Sequence, residues 1–104
     1  MNNSQVDRRD IILVLKRIID PELGMNIYDL GLIYGIEIDN GEVIITLTLT
    51  SPTCPYGAKL LEAVKIGVQH VQNVKKSTLN LVWDPPWDTD YLPDSVKLEL
   101  GILW

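Results

Sequence analysis

The strongest constraint on the fold is a pair of strand-like segments joined by Asn40-Gly41. Residues 32–39 place apolar side chains at alternate positions: Leu32, Tyr34, Ile36 and Ile38. Residues 42–50 do the same and turn threonines to the other face: Val43, Ile45, Leu47 and Leu49 against Thr46, Thr48 and Thr50. Asn-Gly between two such segments is the commonest signal for a type I′ hairpin. The sequence therefore predicts a hairpin that is covered mainly on one face.

Apolar residues at helical spacing precede and follow this hairpin. Before the hairpin, a first helix is predicted from apolar residues at Ile11, Ile12, Leu15, Ile18 and Ile19. Ser4-x-x-Asp7 resembles a capping box at its start, and Asp20-Pro21 is expected to end it. After the hairpin, a long second helix is predicted from Leu60, Leu61, Val64, Val68 and Val71.

A third strand over residues 77–83 and a short helix over residues 93–100, with Gly101 as its C-terminal cap, complete the chain. Crossover connections are right-handed, so the third strand is expected beside and parallel to the second. The predicted fold is a two-layer α+β domain over residues 1–104, in the order helix, hairpin, helix, strand, helix, with a small three-stranded mixed sheet.

Charge and composition limit the binding partners and the cellular location that are expected for this domain. The net charge of −5 argues against nucleic acid, which proteins bind through basic surfaces. The first ten residues are polar and do not resemble a signal peptide, and the longest apolar run, residues 11–15, is too short to cross a membrane. A single cysteine cannot form an internal disulfide. We therefore expect a cytoplasmic protein without a nucleic-acid or membrane partner.

That cysteine, Cys54, lies in the segment TSPTCPYG, between the second strand and the second helix. Proline is favoured at the first position of a helix, which would make Pro55 that residue and Cys54 the N-cap. Unpaired N–H groups and the helix dipole lower a cysteine pKa at such a position. The pattern predicts a reactive thiolate or a metal ligand, and the alternative is a buried cysteine that acts as a small hydrophobe.

The rest of the chain offers Cys54 few chemical partners. His70 is the only histidine, and 16 residues of helix would place it about 24 Å away, so it is expected to face solvent rather than act as a base. A closed zinc or iron–sulfur site needs about four protein ligands. Cys54 could still hold a metal transiently, between two chains, or with a carboxylate of Asp20, Asp29 or Asp84. These features favour a carrier or adaptor over a self-contained enzyme.

Three other segments attract attention: DPELG at residues 20–24, DLG at residues 29–31 and WDPPW at residues 83–87. Asp20 and Asp29 are typical of turn residues that accept hydrogen bonds from backbone N–H groups, with a ligand role as the alternative. Of the two tryptophans in WDPPW, one is expected in the core and the other on an exposed surface that could bind a partner.

Three blocks of the chain together resemble the SufT-like and PaaD-like family of iron–sulfur cluster assembly factors: DPELGMNIYDLGLIYGIEI, LTLTSPTCPYG and LVWDPPWDTDYLPDSVKLELGI. The resemblance implies an iron–sulfur assembly type of α+β domain without established catalytic turnover. It makes Cys54 the functional residue and Asp20, Thr50, Pro55 and Trp87 matching motif positions. Thr53, Leu92-Pro93 and Val96 depart from the usual pattern. Without the cysteine-rich extension of PaaD proteins, a general SufT-like role is expected.

The resemblance implies no stably bound cofactor, a transient iron or iron–sulfur cluster, and partners among the assembly machinery and apo client proteins, with a homodimer as one arrangement. Two alternatives remain for function. One is a small cysteine-dependent enzyme that works across an oligomer interface, and the other is a PaaD-like factor for a phenylacetate-degradation oxygenase. A third interpretation is an interaction module in which WDPPW binds a partner and Cys54 is inert.

Overall fold

A computed structural model describes residues 5–50, 55–88, 90, 92 and 94–99, and it contains the predicted elements in order together with two short additional strands. The described helices are α1 (Arg8–Leu15), α2 (Gly57–Gln69) and α3 (Asp94–Glu99). The described strands are β1 (Ile19–Asp20), β2 (Met25–Asn26), β3 (Ile33–Asp39), β4 (Glu42–Leu47) and β5 (Lys76–Leu81). Within these ranges, no helix combines the length and the apolar character that a membrane crossing requires.

Strands β3, β4 and β5 form one mixed sheet in that order, with β3 antiparallel and β5 parallel to β4. Asp39 pairs with Glu42, which leaves Asn40 and Gly41 as the two turn residues. Both have positive φ angles, 51° and 85°, as a type I′ turn requires. The predicted hairpin, the mixed sheet and the order of its strands are confirmed.

The core lies between one face of this sheet and the helices. The predicted inward residues of β4 and its continuation are all buried: Val43, Ile45, Leu47 and Leu49. The apolar stripe of α2 covers them through Leu60, Val64, Val68 and the following Val71. Ile11 and Leu15 of α1 belong to the same buried cluster, as their spacing predicted. Ile19, predicted on the same stripe, is 51% exposed and lies in β1, so that part of the prediction was wrong.

The first helix is shorter at both ends than predicted. Asp7 itself is the N-cap, since its Oδ1 accepts a hydrogen bond from the N–H of Arg9 at 2.9 Å, and Ser4 lies outside the described residues. The Arg9 side chain also donates to this carboxylate, which lowers the pKa of Asp7. The helix ends at Leu15, and the following residues lead into β1, which pairs with β2 in a small second sheet that the sequence did not predict.

A β-bulge between Ile33 and Gly35 changes the inward face of β3. Ile33, Ile36 and Ile38 pack against the core, whereas the Tyr34 hydroxyl donates to the carbonyl of Pro85 at 2.8 Å. The expectation that Tyr34 shares a core face with Ile36 was wrong, because a bulge shifts the period-two alternation of a strand.

Candidate functional site

The segments singled out in the sequence meet near the C-terminal end of β4. The carbonyl of Leu32, which follows DLG, accepts from the N–H of Thr48 at 2.9 Å. On the other side, the carbonyl of Leu47 accepts from the N–H of Val82, next to WDPPW, at 2.9 Å. The chain thus reaches Thr50, the last described residue before Cys54, between two of the three motif segments. Cys54 itself lies outside the described residues.

Asp20 organises the DPELG turn. Its side chain is almost completely buried, and Oδ1 accepts from the N–H groups of Glu22 at 2.8 Å and Leu23 at 3.2 Å. Its carbonyl accepts from the N–H of Gly24, whose φ of 72° suits glycine. The structural interpretation of Asp20 as a turn residue is confirmed.

The same turn reaches the end of β4 through a side-chain contact. The hydroxyl of Thr50 lies 3.5 Å from Oε2 of Glu22, at the geometry of a weak hydrogen bond. The sequence offered Thr50 as a motif residue but gave no partner for it, because 28 residues separate the two side chains. This contact brings DPELG to the segment that leads to Cys54.

Asp29 makes a local turn instead of facing a shared site. It is exposed, its Oδ2 accepts from Nδ2 of Asn26 at 2.9 Å, and its N–H donates to Oδ1 of Asn26 at 2.8 Å. Asp84 is also exposed. Within the part of the chain that the structure describes, no three histidine, cysteine, aspartate or glutamate side chains are grouped to hold a metal ion.

The two indoles of WDPPW have different environments, as predicted. Trp87 packs against the core, and its Nε1–H donates to the carbonyl of Leu30 at 2.6 Å. Trp83 is 43% exposed. The hydrogen bond of Trp87 fixes WDPPW to the DLG segment, which makes Trp87 a structural link between two motif blocks.

Helix α2 begins two residues later than predicted. Tyr56 is its N-cap, and the carbonyl of Tyr56 accepts the first helical hydrogen bond from the N–H of Leu60 at 2.9 Å. The prediction that Pro55 is the first helical residue and Cys54 the N-cap was therefore wrong. Pro55 and Tyr56 instead form a turn that leads from Cys54 into the helix.

Gly57 is a motif residue whose role the sequence analysis missed. It is buried at the first position of α2, and a Cβ atom there would lie 3.0 Å from Cδ1 of Leu49. Glycine thus lets the start of α2 approach the end of β4 closely. A glycine two residues after a proline at a strand–helix junction was the available signal.

His70 lies at the opposite end of α2 from Pro55. It is exposed, forms the C-cap, and its Nδ1 lies 2.8 Å from the carbonyl of Ile66. The helix between Gly57 and His70 is about 20 Å long, at 1.5 Å per residue. The prediction that His70 faces solvent is confirmed. Its separation from Cys54 stays a prediction, which the distance between His70 and the start of α2 supports.

Known proteins resemble this chain over most of its length. An Fe-S protein maturation auxiliary factor of Porphyromonas gingivalis is 39% identical, over 99% of this chain and 100% of the relative. The auxiliary factor SufT of Staphylococcus aureus is 37% identical, over 82% of this chain and 98% of the relative. A solved structure of a conserved hypothetical protein from Thermotoga maritima superposes with a TM-score of 0.85 at 30% identity, over 96% of this chain and 99% of that one. Residues 8–76 match the family described as iron-sulfur cluster assembly protein, and the chain belongs to that family.

Proposed function

We propose that this protein is an accessory factor for iron–sulfur protein maturation, an adaptor or transient carrier that acts through the thiolate of Cys54. The observation that carries the proposal is the meeting of three motif segments at the end of β4, directly before the segment that contains Cys54. The names of the relatives, which match the chain over most of its length, support the same role.

The chemistry is a ligand exchange in which the cluster is cargo. Cysteine thiolates are the usual protein ligands of iron–sulfur clusters, and one thiolate fills one of about four positions. On loading, Cys54 loses its proton and its sulfur replaces a donor ligand on iron. On delivery, a client cysteinate replaces Cys54, which regains a proton. No electron is transferred, and the remaining ligands come from the donor, the client or a second copy of this chain.

The other motif residues are assigned to positioning the thiolate. The hydrogen bonds of Asp20 and Trp87 already hold the turn and the WDPPW segment, and Thr50 contacts Glu22. Pro55 directly follows Cys54 in the chain and begins the turn that leads into α2. Asp29 closes its own turn. In this assignment, a cluster binds to Cys54 and the remaining motif residues hold the described segments on either side of it.

The proposal includes the setting. Residues 1–104 act as one domain in the cytoplasm, with assembly proteins and apo clients as partners, and without nucleic acid or membrane. The small-enzyme alternative requires a base from a second chain, since His70 lies at the far end of α2.

Complementation of a deletion strain tests the role of Cys54. The wild type should restore the activity of iron–sulfur enzymes, and Cys54→Ser should not. The matched control is a double variant, Cys54→Ser with Lys65→Cys, which moves the single cysteine to an exposed position of α2. This variant should also fail to restore the enzyme activity. Full restoration by Cys54→Ser would refute the proposed thiolate.

Two measurements on purified protein separate a carrier from an inert thiol. An anaerobic pull-down should recover iron and sulfide with the wild type and much less with Cys54→Ser. The pH dependence of thiol alkylation gives the pKa of Cys54. A value at or above about 8.5, that of a free cysteine, would support the inert interpretation.

A further inference from the structure

The surface between α1 and α2 contains an open groove that the proposed function does not use. Two adjoining depressions, of about 400 and 360 Å³, share Arg17, Ile18 and Ala63 as lining residues. The first extends to Tyr56 at the start of α2, and the second extends to His70 at its end. At 1.5 Å per residue, the groove therefore follows α2 for roughly 20 Å.

The lining of this groove is mainly apolar. Ile18 and Leu60 contribute buried or half-buried surface, while Ile19 and Tyr56 are 51% and 48% exposed at its wider end. Groups of exposed large apolar side chains in a concave surface are typical of protein interaction sites. Gly67 brings the two helices close, because a Cβ there would lie 2.9 Å from Cγ1 of Val14.

The charge of the groove is opposite to that of the chain. Arg17 and Lys59 line it, and none of its lining residues is acidic, although the chain has a net charge of −5. Within the described residues, neither cation takes part in an ion pair. These two cations beside apolar surface complement a partner that is both acidic and apolar.

These observations favour a helix of another protein over a second copy of this chain as the molecule that binds in the groove. In a symmetric dimer formed groove to groove, the cations of one groove would face those of the other with no acidic residue between them, and this repulsion disfavours a second copy of this chain. The length of the groove and its two helical walls suit an amphipathic helix with apolar residues at i, i+3 or i+4 and i+7. We infer that this groove binds an acidic amphipathic helix of a partner protein.

The position of the groove relates this inference to cluster transfer, and in this respect it rests on the proposed function. Tyr56 lines the wider end of the groove and is two residues from Cys54 in the chain. A helix seated there brings the rest of the partner to the segment that contains the thiol. The partner that carries such a helix is then a protein that donates the cluster or a client that receives it.

The direct test is selection of helical 18-residue peptides on the purified protein, followed by fluorescence anisotropy with the best peptide. The selected sequences should combine acidic residues with a helical apolar stripe. Lys59→Glu and Arg17→Glu should weaken binding at least tenfold, and Lys59→Gln less. Lys65→Glu is the matched control, since Lys65 is an exposed lysine of the same helix outside the groove, and it should change the affinity less than twofold.

Several outcomes would overturn the inference. They are selection of basic or neutral peptides, absence of any enriched sequence, or equal losses from Lys59→Glu and Lys65→Glu. Self-association that Lys59→Glu abolishes would assign the groove to a second copy. Circular dichroism establishes that each variant is folded, as expected for substitutions of exposed side chains.

Complementation separates this inference from the proposed function. Lys59→Glu should reduce the restored enzyme activity several-fold, and Lys65→Glu should not. If Cys54→Ser fails to complement but Lys59→Glu complements fully, the groove is refuted and the thiolate role stands. If Cys54→Ser complements fully while the acidic peptide binds at Lys59, the thiolate role is refuted and the groove stands.

Discussion

The two ends of the three-stranded sheet combine backbone and side-chain hydrogen bonds in different ways. At the hairpin end, Asn40 and Gly41 close a two-residue turn. The carbonyl of Gly41 accepts from the N–H groups of Lys75 and Lys76, at 2.7 and 3.3 Å. Backbone hydrogen bonds thus close this end at the turn, and side chains add to them: Nδ2 of Asn73 donates to the carbonyl of Gln5, and Nε2 of Gln69 donates to the carbonyl of Lys75.

At the motif end, side chains bridge segments that are far apart in the sequence. The Trp87 indole reaches the carbonyl of Leu30 across 57 residues, and the Tyr34 hydroxyl reaches that of Pro85 across 51. Asp20 holds a buried turn from within. Each of these bonds depends on one specific side chain, so we expect substitutions at this end to be more damaging.

The largest effect should come from Asp20→Ala at the motif end. The change leaves the N–H groups of Glu22 and Leu23 without their buried acceptor, and hydrogen bonds to a charged group are worth about 1.5–3 kcal/mol each. We expect the free energy of unfolding in urea to fall by about 3 kcal/mol. Asp20→Asn keeps an acceptor and should lose less than half as much. Equal losses from both variants would show that the negative charge, rather than the accepted hydrogen bonds, matters.

At the hairpin end, Gly41→Ala should have the next largest effect. Gly41 has a φ of 85°, and a Cβ would lie 2.9 Å from side-chain atoms of Lys75 and 3.3 Å from the carbonyl oxygen of Asn73. A left-handed conformation costs an L-residue about 1–2 kcal/mol, which is the loss expected in urea unfolding. Gly35→Ala is the control, since its Cβ would meet Thr46 at an ordinary 3.7 Å. At temperatures where Gly41→Ala is folded, complementation should be normal; a defect there would contradict the division between the two ends.

Trp87→Phe should destabilise the motif end by a smaller amount. It removes the donor to Leu30 but keeps an aromatic ring against the core, so we expect a loss of about 1 kcal/mol. Because the anchor of WDPPW is lost, complementation should fall although the protein is folded. Trp83→Phe, at an exposed indole, serves as the control. If both variants complement equally well, Trp87 is structural without positioning the site.

The sequence could predict the features that depend on neighbouring residues. The hairpin, its register and the buried faces of β4 and α2 follow from short-range patterns. An Asn-Gly turn and alternating or helical spacing are decided by neighbouring residues. Asp20 as a turn former was also predictable, because its hydrogen bonds reach only two and three residues ahead.

Contacts between residues far apart in the sequence could not be predicted from these short-range patterns. The partners of Thr50, Tyr34 and Trp87 lie 28 to 57 residues away, and a single sequence gives no pairing for them. The bulge that turns Tyr34 away from the core is hidden in a regular alternation. The start of α2 was missed because Pro55 suits a turn as well as a first helical position, and the close approach of Gly57 to Leu49 depends on the tertiary structure.

The smallest predicted effect concerns acid and the hairpin end. Asp7 is the N-cap of α1. The start of α1 lies at the hairpin end, because the carbonyl of Gln5 accepts from Nδ2 of Asn73 in the loop before β5. The hydrogen bond from the Arg9 side chain lowers the pKa of Asp7 below its ordinary value of 3.8. A carboxyl with a lowered pKa in the folded state stabilises the protein above the unfolded pKa and loses that contribution as pH falls through the folded pKa.

The melting temperature of Asp7→Asn, measured against the wild type as a function of pH, detects this contribution. Asparagine also accepts a capping hydrogen bond, so the variant removes the charge and keeps the cap. The wild type should melt slightly higher from pH 7 down to about 4, and the difference should disappear below the folded-state pKa. Added salt should reduce it, because both side chains are exposed. A difference that persists in acid would mean that Asp7 acts through capping geometry alone, and the hairpin end would then depend on backbone conformation without a charge contribution.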